Sequence, residues 1–277
     1  MTSENKRIKY FVLLIVCLLF MLFGAAIMVL VMLRPFMAVT GYSKETITTA
    51  IEAFENYFST KPYSSTQTWA EFAEEFFSAD PVLFANIKTF FCALQFLSYI
   101  PLLILIIFFL RKEFAEDFVN FKKDIKKNLF LVFIGIVAMY LTVYIVSIIY
   151  EIIGVTGESN NESTINLLLD SPGVALMVVA VVILAPITEE VIFRKLLFGT
   201  CEETCKFPPA VAIIISGLVF SFIHVSDLES LKYIFQYLAL AIPICAIYHY
   251  SKNNIFVTII MHIINNLISV IVTLLMI

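Results

Sequence analysis

Apolar residues run along this chain in long blocks with short polar intervals between them, and each block has the length of a membrane-crossing helix. The first, residues 10–33, is about 24 residues long. At ~1.5 Å per residue that covers the roughly 30 Å of hydrocarbon in a bilayer. Six more blocks follow at 81–110, 128–153, 173–200, 209–225, 231–250 and 254–277. The pattern predicts an all-α, polytopic membrane helical bundle of about seven transmembrane helices. Arg34-Pro35 should end the first helix, because proline cannot donate to the helical ladder.

The polar intervals have patterns of their own. In residues 36–81, Ile47, Ile51, Phe54 and Phe58, then Trp69, Phe72, Phe76 and Phe77, recur at three- and four-residue steps. This describes amphipathic helices that lie on the membrane surface or cap the bundle. Arg111, Lys112, Lys122, Lys123, Lys126 and Lys127 are interleaved with Phe114, Phe118 and Phe121, which reads as an interfacial helix whose partners are membrane lipids and not nucleic acid. Residues 154–172 contain no lysine or arginine and read as an exposed turn.

Composition removes the soluble classes, since 61% of the residues are hydrophobic. The net charge of -4 says less than the placement of the charges. Under a seven-span model, thirteen of the 18 basic residues fall on the side of the amino terminus, which puts that terminus in the cytoplasm. The leader Lys6-Arg7-Ile8-Lys9 resembles the start of a signal peptide, but no small-residue cleavage site follows the first block, so it reads as a retained anchor. Residue usage rich in Ile, Phe, Lys and Asn points to a bacterial plasma membrane. Five cysteines at irregular spacing describe no disulfide framework, and Cys201 with Cys205 reads as two loop cysteines. Two regions result: residues 1–169, with the anchor helix, an external amphipathic segment and two further spans, and residues 170–277, where the intramembrane ionisable groups lie.

Those groups carry the chemistry. Glu189, Glu190 and Arg194 fall inside the fourth apolar block, where an ionisable side chain costs several kcal/mol, by estimates from about 3 to above 10, and marks catalysis, an ion pathway or a buried pair. Phe220-x-x-x-His224 and His262-x-x-x-Asn266 place a histidine in each of two later blocks. Counted from the cytoplasmic ends of their helices, Glu189, His224, His262 and Asn266 all fall roughly 12 to 22 Å deep, in one layer. A water between Glu189 and His224 is then the expected nucleophile. His262 and Asn266, four residues apart, share a helix face and can donate to a developing oxyanion. Glu190 and Arg194, also four apart, should pair and compensate each other's burial. Asn265 should face elsewhere, and His249, between two tyrosines, fits the interfacial aromatic belt.

Three other readings compete. Glu189, His224 and His262 are a legitimate zinc set with an open position, although no His-Glu-x-x-His helix is present and the spacing favours donors over a compact ligand triad; the favoured reading has no cofactor. Intramembrane carboxylates and histidines also build proton-coupled transporters, but the two halves of the chain show no inverted repeat. A membrane scaffold or immunity factor without catalytic activity is the third.

The ordered set Glu189-Glu190-x-x-x-Arg194, Phe220-x-x-x-His224 and His262-x-x-x-Asn266 resembles the three signature motifs of the CPBP family of intramembrane proteases, also called the Abi or CAAX-protease-like family. The resemblance covers roughly residues 170–275. It implies an endopeptidase in which Glu189 and His224 activate water, His262 and Asn266 form the oxyanion hole, and Glu190 and Arg194 complete the first motif, with Phe220 in support. The family's members are often labelled metalloproteases. Its eukaryotic members trim prenylated CAAX ends; its bacterial members are linked to bacteriocin immunity, peptide maturation and surface-protein display, so a peptide or membrane protein is the implied substrate.

Overall fold

A computed structural model describes residues 3–64, 66–225 and 228–277; the side chain of Lys6, in the basic leader, lies outside the described residues. Described secondary structure is helical apart from one β-bridge between Pro62 and Thr68. Six helices are long and apolar enough to cross a membrane, and a seventh, Pro209–Ile223, is shorter.

Helix α1, Ser3–Thr40, crosses first and shows Leu22, Leu30 and Val31 outward, while Tyr10, Leu13, Leu14 and Cys17 face the core. It does not stop at Arg34-Pro35, because Pro35 lies inside it. Proline forfeits one backbone bond there, but in an apolar setting the other peptide groups find their partners only along the helix.

The polar interval forms a crown over one end of the bundle. Helices α2, Lys44–Glu55, and α3, Trp69–Ala79, are started by Ser43 and by a Thr68–Glu71 capping box. Their aromatic faces dock on the next helix, with Phe54 stacked on Phe91 at 4.3 Å and Phe77 on Phe84 at 4.4 Å. Of the two sites the periodicity allowed, the cap is the one observed.

Helix α4, Pro81–Lys123, runs 43 residues without interruption. The basic segment is therefore no separate helix: Arg111 to Lys123 end α4, and after a break at Asp124 Lys126 and Lys127 fall in the first turn of α5, Ile125–Ile153. Phe114, Phe118 and Phe121 hold it inward, against Phe256, at 5.4 to 6.3 Å. Gly154, at φ 74°, ends α5 in the left-handed region that suits glycine. The following interval is not all turn, since it contains α6, Asn160–Leu169, capped by Ser159 and anchored by buried Leu168 and Leu169.

Helix α7, Val174–Thr204, is one rod with three π-helical segments, Ala180–Leu184, Val191–Phe198 and Thr200–Thr204. Cys201 is thus helical and buried, not in a loop, while Cys205 is exposed. Helix α8, Pro209–Ile223, has 15 residues, about 22 Å, and ends short of a full crossing. A 3₁₀ turn, Ser230–Tyr233, leads into α9, Ile234–Tyr250, and α10, Ile255–Met276, completes the bundle. Asp117 of α4 fixes where α10 starts: its carbonyl accepts from Asn254 Nδ2 at 2.7 Å and its carboxylate pairs with Lys195.

Candidate active site

The helix that carries Glu189 is irregular where it matters. A π turn holds one residue more than an α turn and disturbs the regular bonding of its carbonyls. Here neighbouring helices donate to two of those carbonyls: Asn266 Nδ2 of α10 to Val181 O at 2.9 Å, and Ser216 Oγ of α8 to Phe193 O at 2.7 Å. The six-residue α-helical stretch Ala185–Glu190, between the π segments, presents both glutamates to the bundle interior.

Glu190 and Arg194 lie at the centre of the packing with no exposed surface. Arg194 Nε is 3.2 Å from Glu190 Oε2, close enough for an ion pair, but the contact lacks hydrogen-bond alignment, and Arg194 Nη1 has no partner. The guanidinium carbon lies 4.8 Å over the Phe220 ring, which gives the cation a second stabilising contact. Glu190 also reaches a residue that spacing did not pair with it: its Oε1 is 2.9 Å from His262 Nδ1.

Glu189 sits beside both histidines. Its Oε2 lies 3.8 Å from His224 Nε2 and 3.9 Å from His262 Nε2, too far for direct hydrogen bonds and in the range where a bridging water is the usual connector. His224 occupies the C-cap of the short α8, so the abbreviated helix leaves it at depth. Its Nδ1 is 2.7 Å from Phe220 O, an oxygen that can only accept. Nδ1 therefore carries a proton, and in the neutral ring Nε2 turns a lone pair toward Glu189. The same logic applies to His262, whose Nδ1 faces a carboxylate paired to arginine. Phe220 packs against the His224 ring at 4.3 Å and thereby links it to Arg194.

Asn266 lies on the same α10 face as His262 and lines the cavity, but it spends one N–H on Val181. Asn265 does not face elsewhere: it lines the same cavity and donates to Asn266 Oδ1 at 3.1 Å. Tyr99, Gln95, Tyr237 and Glu162 join the lining of this space, which has a volume of about 210 Å³. Sequence offered no motif for these four, because they come from three helices that carry none of the three motifs. His249 is elsewhere, 3.4 Å from Glu202.

Among the described residues no group of three or more His, Cys, Asp or Glu is gathered closely enough to hold a metal ion. The nearest candidates, Glu189 with His224 and His262, stand at 3.8 and 3.9 Å, wider than the roughly 3.4 Å between ligands of a tetrahedral zinc.

Two buried carboxylates thus lie beside two histidines in a bundle of helices long and apolar enough to cross a membrane. Residues 171–268 match the family model described as "Type II CAAX prenyl endopeptidase Rce1-like". The chain belongs to the CAAX-protease-like family and is a multi-pass membrane protease. It is similar to the Bacillus subtilis (strain 168) protein named "Putative membrane peptidase YdiL", with 31% identity over 172 residues, spanning 61% of this chain and 67% of that protein. No solved structure matches the chain.

Proposed function

We propose that this protease hydrolyses peptide bonds of a peptide or membrane-protein substrate with a water activated by Glu189 and His224, and with His262 and Asn266 facing the oxyanion. The observation that carries this reading is the approach of two imidazole Nε2 atoms to one Glu189 oxygen at 3.8 and 3.9 Å. A water donating to Glu189 and to the His224 lone pair keeps its own lone pairs for attack on the carbonyl carbon. As the C–O bond forms, one water proton passes to the base, and it is returned to the leaving amine as the C–N bond breaks. Asn266 retains a second N–H for the oxyanion. His262 can add a donation from Nε2 only when its ring carries both protons, with the Glu190 carboxylate on Nδ1 balancing that charge. Arg194 is a positioning residue that keeps Glu190 in place.

Metal-free activation is our reading of this site; zinc held by Glu189, His224 and His262 is the alternative. Purified Glu189→Gln protein should lose about 10²- to 10⁴-fold in cleavage rate while keeping its helical content and thermal transition. Retained peptidase activity would overturn the assignment. We also place the amino terminus and Lys123 in the cytoplasm, with residues 36–81 outside, in a bacterial plasma membrane. Reporter fusions that put Lys123 outside would reverse that orientation.

A further inference from the structure

The cavity extends to one side. Along a single face of α10, His262, Asn265, Asn266, Ser269 and Thr273 carry polar groups from the carboxylates to the helix end. There Thr273 Oγ1 donates to Asn166 Oδ1 at 3.2 Å, tying α10 to α6, and the Ser159 and Tyr237 hydroxyls, 2.5 Å apart, tie the start of α6 to α9. Helix α6 therefore frames the mouth, with Glu162 in the wall. Among the described residues the lining holds two carboxylates, Glu162 and Glu189, and no lysine or arginine.

Glu162 is not used up by its own helix. Ser159 accepts from Glu162 N at 3.3 Å, and the Ser-x-x-Glu spacing suits a capping box. In α3 the corresponding Glu71 closes such a box by accepting from Thr68 N at 2.7 Å. Helix α6 makes no reciprocal bond, and the Glu162 side chain stays accessible along the cavity wall. Glu158, by contrast, accepts from Ser163 and Asn166 at 2.7 and 3.1 Å. The cavity walls and the neighbouring Glu158 together raise the Glu162 carboxyl above the ordinary carboxylate range, so a cation at this point would relieve a real cost.

We propose that the site selects an extended peptide bearing a lysine or arginine, which pairs with Glu162 at the mouth while the scissile bond lies at Glu189. This inference rests on the protease reading above. His262 and Thr273 are about 11 residues, or ~16 Å, apart along α10. An extended chain at ~3.3 Å per residue covers that polar face in about five residues. In the orientation proposed above, Glu162 faces outward and the substrate is presented from outside the cytoplasm.

The test uses the full-length Glu189→Gln protein in lipid nanodiscs and two fluorescein-labelled apolar peptides that differ only in carrying one lysine or one glutamate. The lysine peptide should bind about tenfold more tightly, the gain of one charge-assisted hydrogen bond, and Glu162→Gln in the same background should remove most of that preference. The substitution leaves the Ser159 cap intact, because the cap uses the backbone N–H of residue 162. Equal affinities, or a preference that survives Glu162→Gln, would overturn the inference. Cleavage of the lysine peptide by the parent protein and not by Glu189→Gln tests the protease reading separately, so either reading can fail alone.

Discussion

Helices α5 and α7 are both apolar and long enough to cross a bilayer, at 29 and 31 residues, yet they stand in opposite relations to it. In the most apolar stretch of α5, 17% of the residues are buried inside the bundle; in α7 the share is 61%. Helix α5 keeps a regular ladder and turns Phe130, Phe133, Leu141 and Tyr144 outward. Helix α7 alternates α and π turns and is walled by α1, α4, α8 and α10. The difference separates two properties that hydropathy merges. An apolar run says that a helix resides in the membrane, whereas its neighbours decide whether it meets lipid or protein. Only the second kind can hold Glu189, Glu190 and Arg194, since on the outer face of α5 the same charges would meet hydrocarbon.

The largest effect should come from breaking the interior of α7. Arg194→Met leaves Glu190 buried without its counter-charge, and loss of one partner of a buried pair typically costs about 3 to 5 kcal/mol. Leu141→Ala, on the outward face of α5, should stay within about 0.5 kcal/mol. Unfolding in detergent measures both, and similar values would erase the distinction between the two helices.

Next in size is His262→Ala, which removes the residue that Glu190 holds. It should lower kcat about a hundred- to thousandfold with little change in KM, as expected for a donor that acts on charge formed in the transition state. Metal analysis sharpens the result: zinc that is stoichiometric in the parent and lost in the variant would make His262 a ligand.

The smallest effect compares two glycines. A Cβ at Gly173, where α7 begins, would meet Cys92 Cβ at 2.8 Å and the Thr89 Cα of α4 at 3.1 Å. The backbone of α4 cannot yield as a side chain can, so Gly173→Ala should cost about 1 to 3 kcal/mol. At Gly135 of α5 the nearest atom, 2.2 Å away, is the terminal methyl of Met261, which can swing aside. A larger loss at Gly135 than at Gly173 would contradict this account.

Sequence was most informative where physics left few choices. Long apolar runs can only be helices in a bilayer, so the bundle was legible, and three ionisable motifs on the fourth, fifth and seventh runs singled out the residues that the fold gathers around Glu189. Continuity was harder to read. Pro35 and the lysines after Arg111 look like helix ends, but Pro35 stays inside a helix with no competing partners for its backbone, and the phenylalanines on Phe256 carry α4 onward. Helix α6 was hidden because serine and asparagine read as turn formers, and only Leu168 and Leu169 reveal its buried side. The ideal 3.6-residue period turned Asn265 away from the site, whereas the structure sets it against Asn266 in the cavity wall. The bond from Glu190 to His262 joins residues 72 positions apart, a distance over which spacing says nothing.

The π turns of α7 also make the helix an instrument of rotational phase. Relative to an unbroken α-helix of the same sequence, the π turn at Ala180–Leu184 sets everything after it back by about 100°, the angular step of one helical residue. Straightening this segment into an ordinary α-helix of unchanged length would leave hydropathy and membrane insertion nearly intact, yet Glu189 would swing away from His224 and Asn266 would lose the Val181 carbonyl it meets. Length and chemistry are thereby uncoupled in α7: as a span the rod would serve as well without its π turn, whereas the side chains gathered around Glu189 would lose their compass bearing.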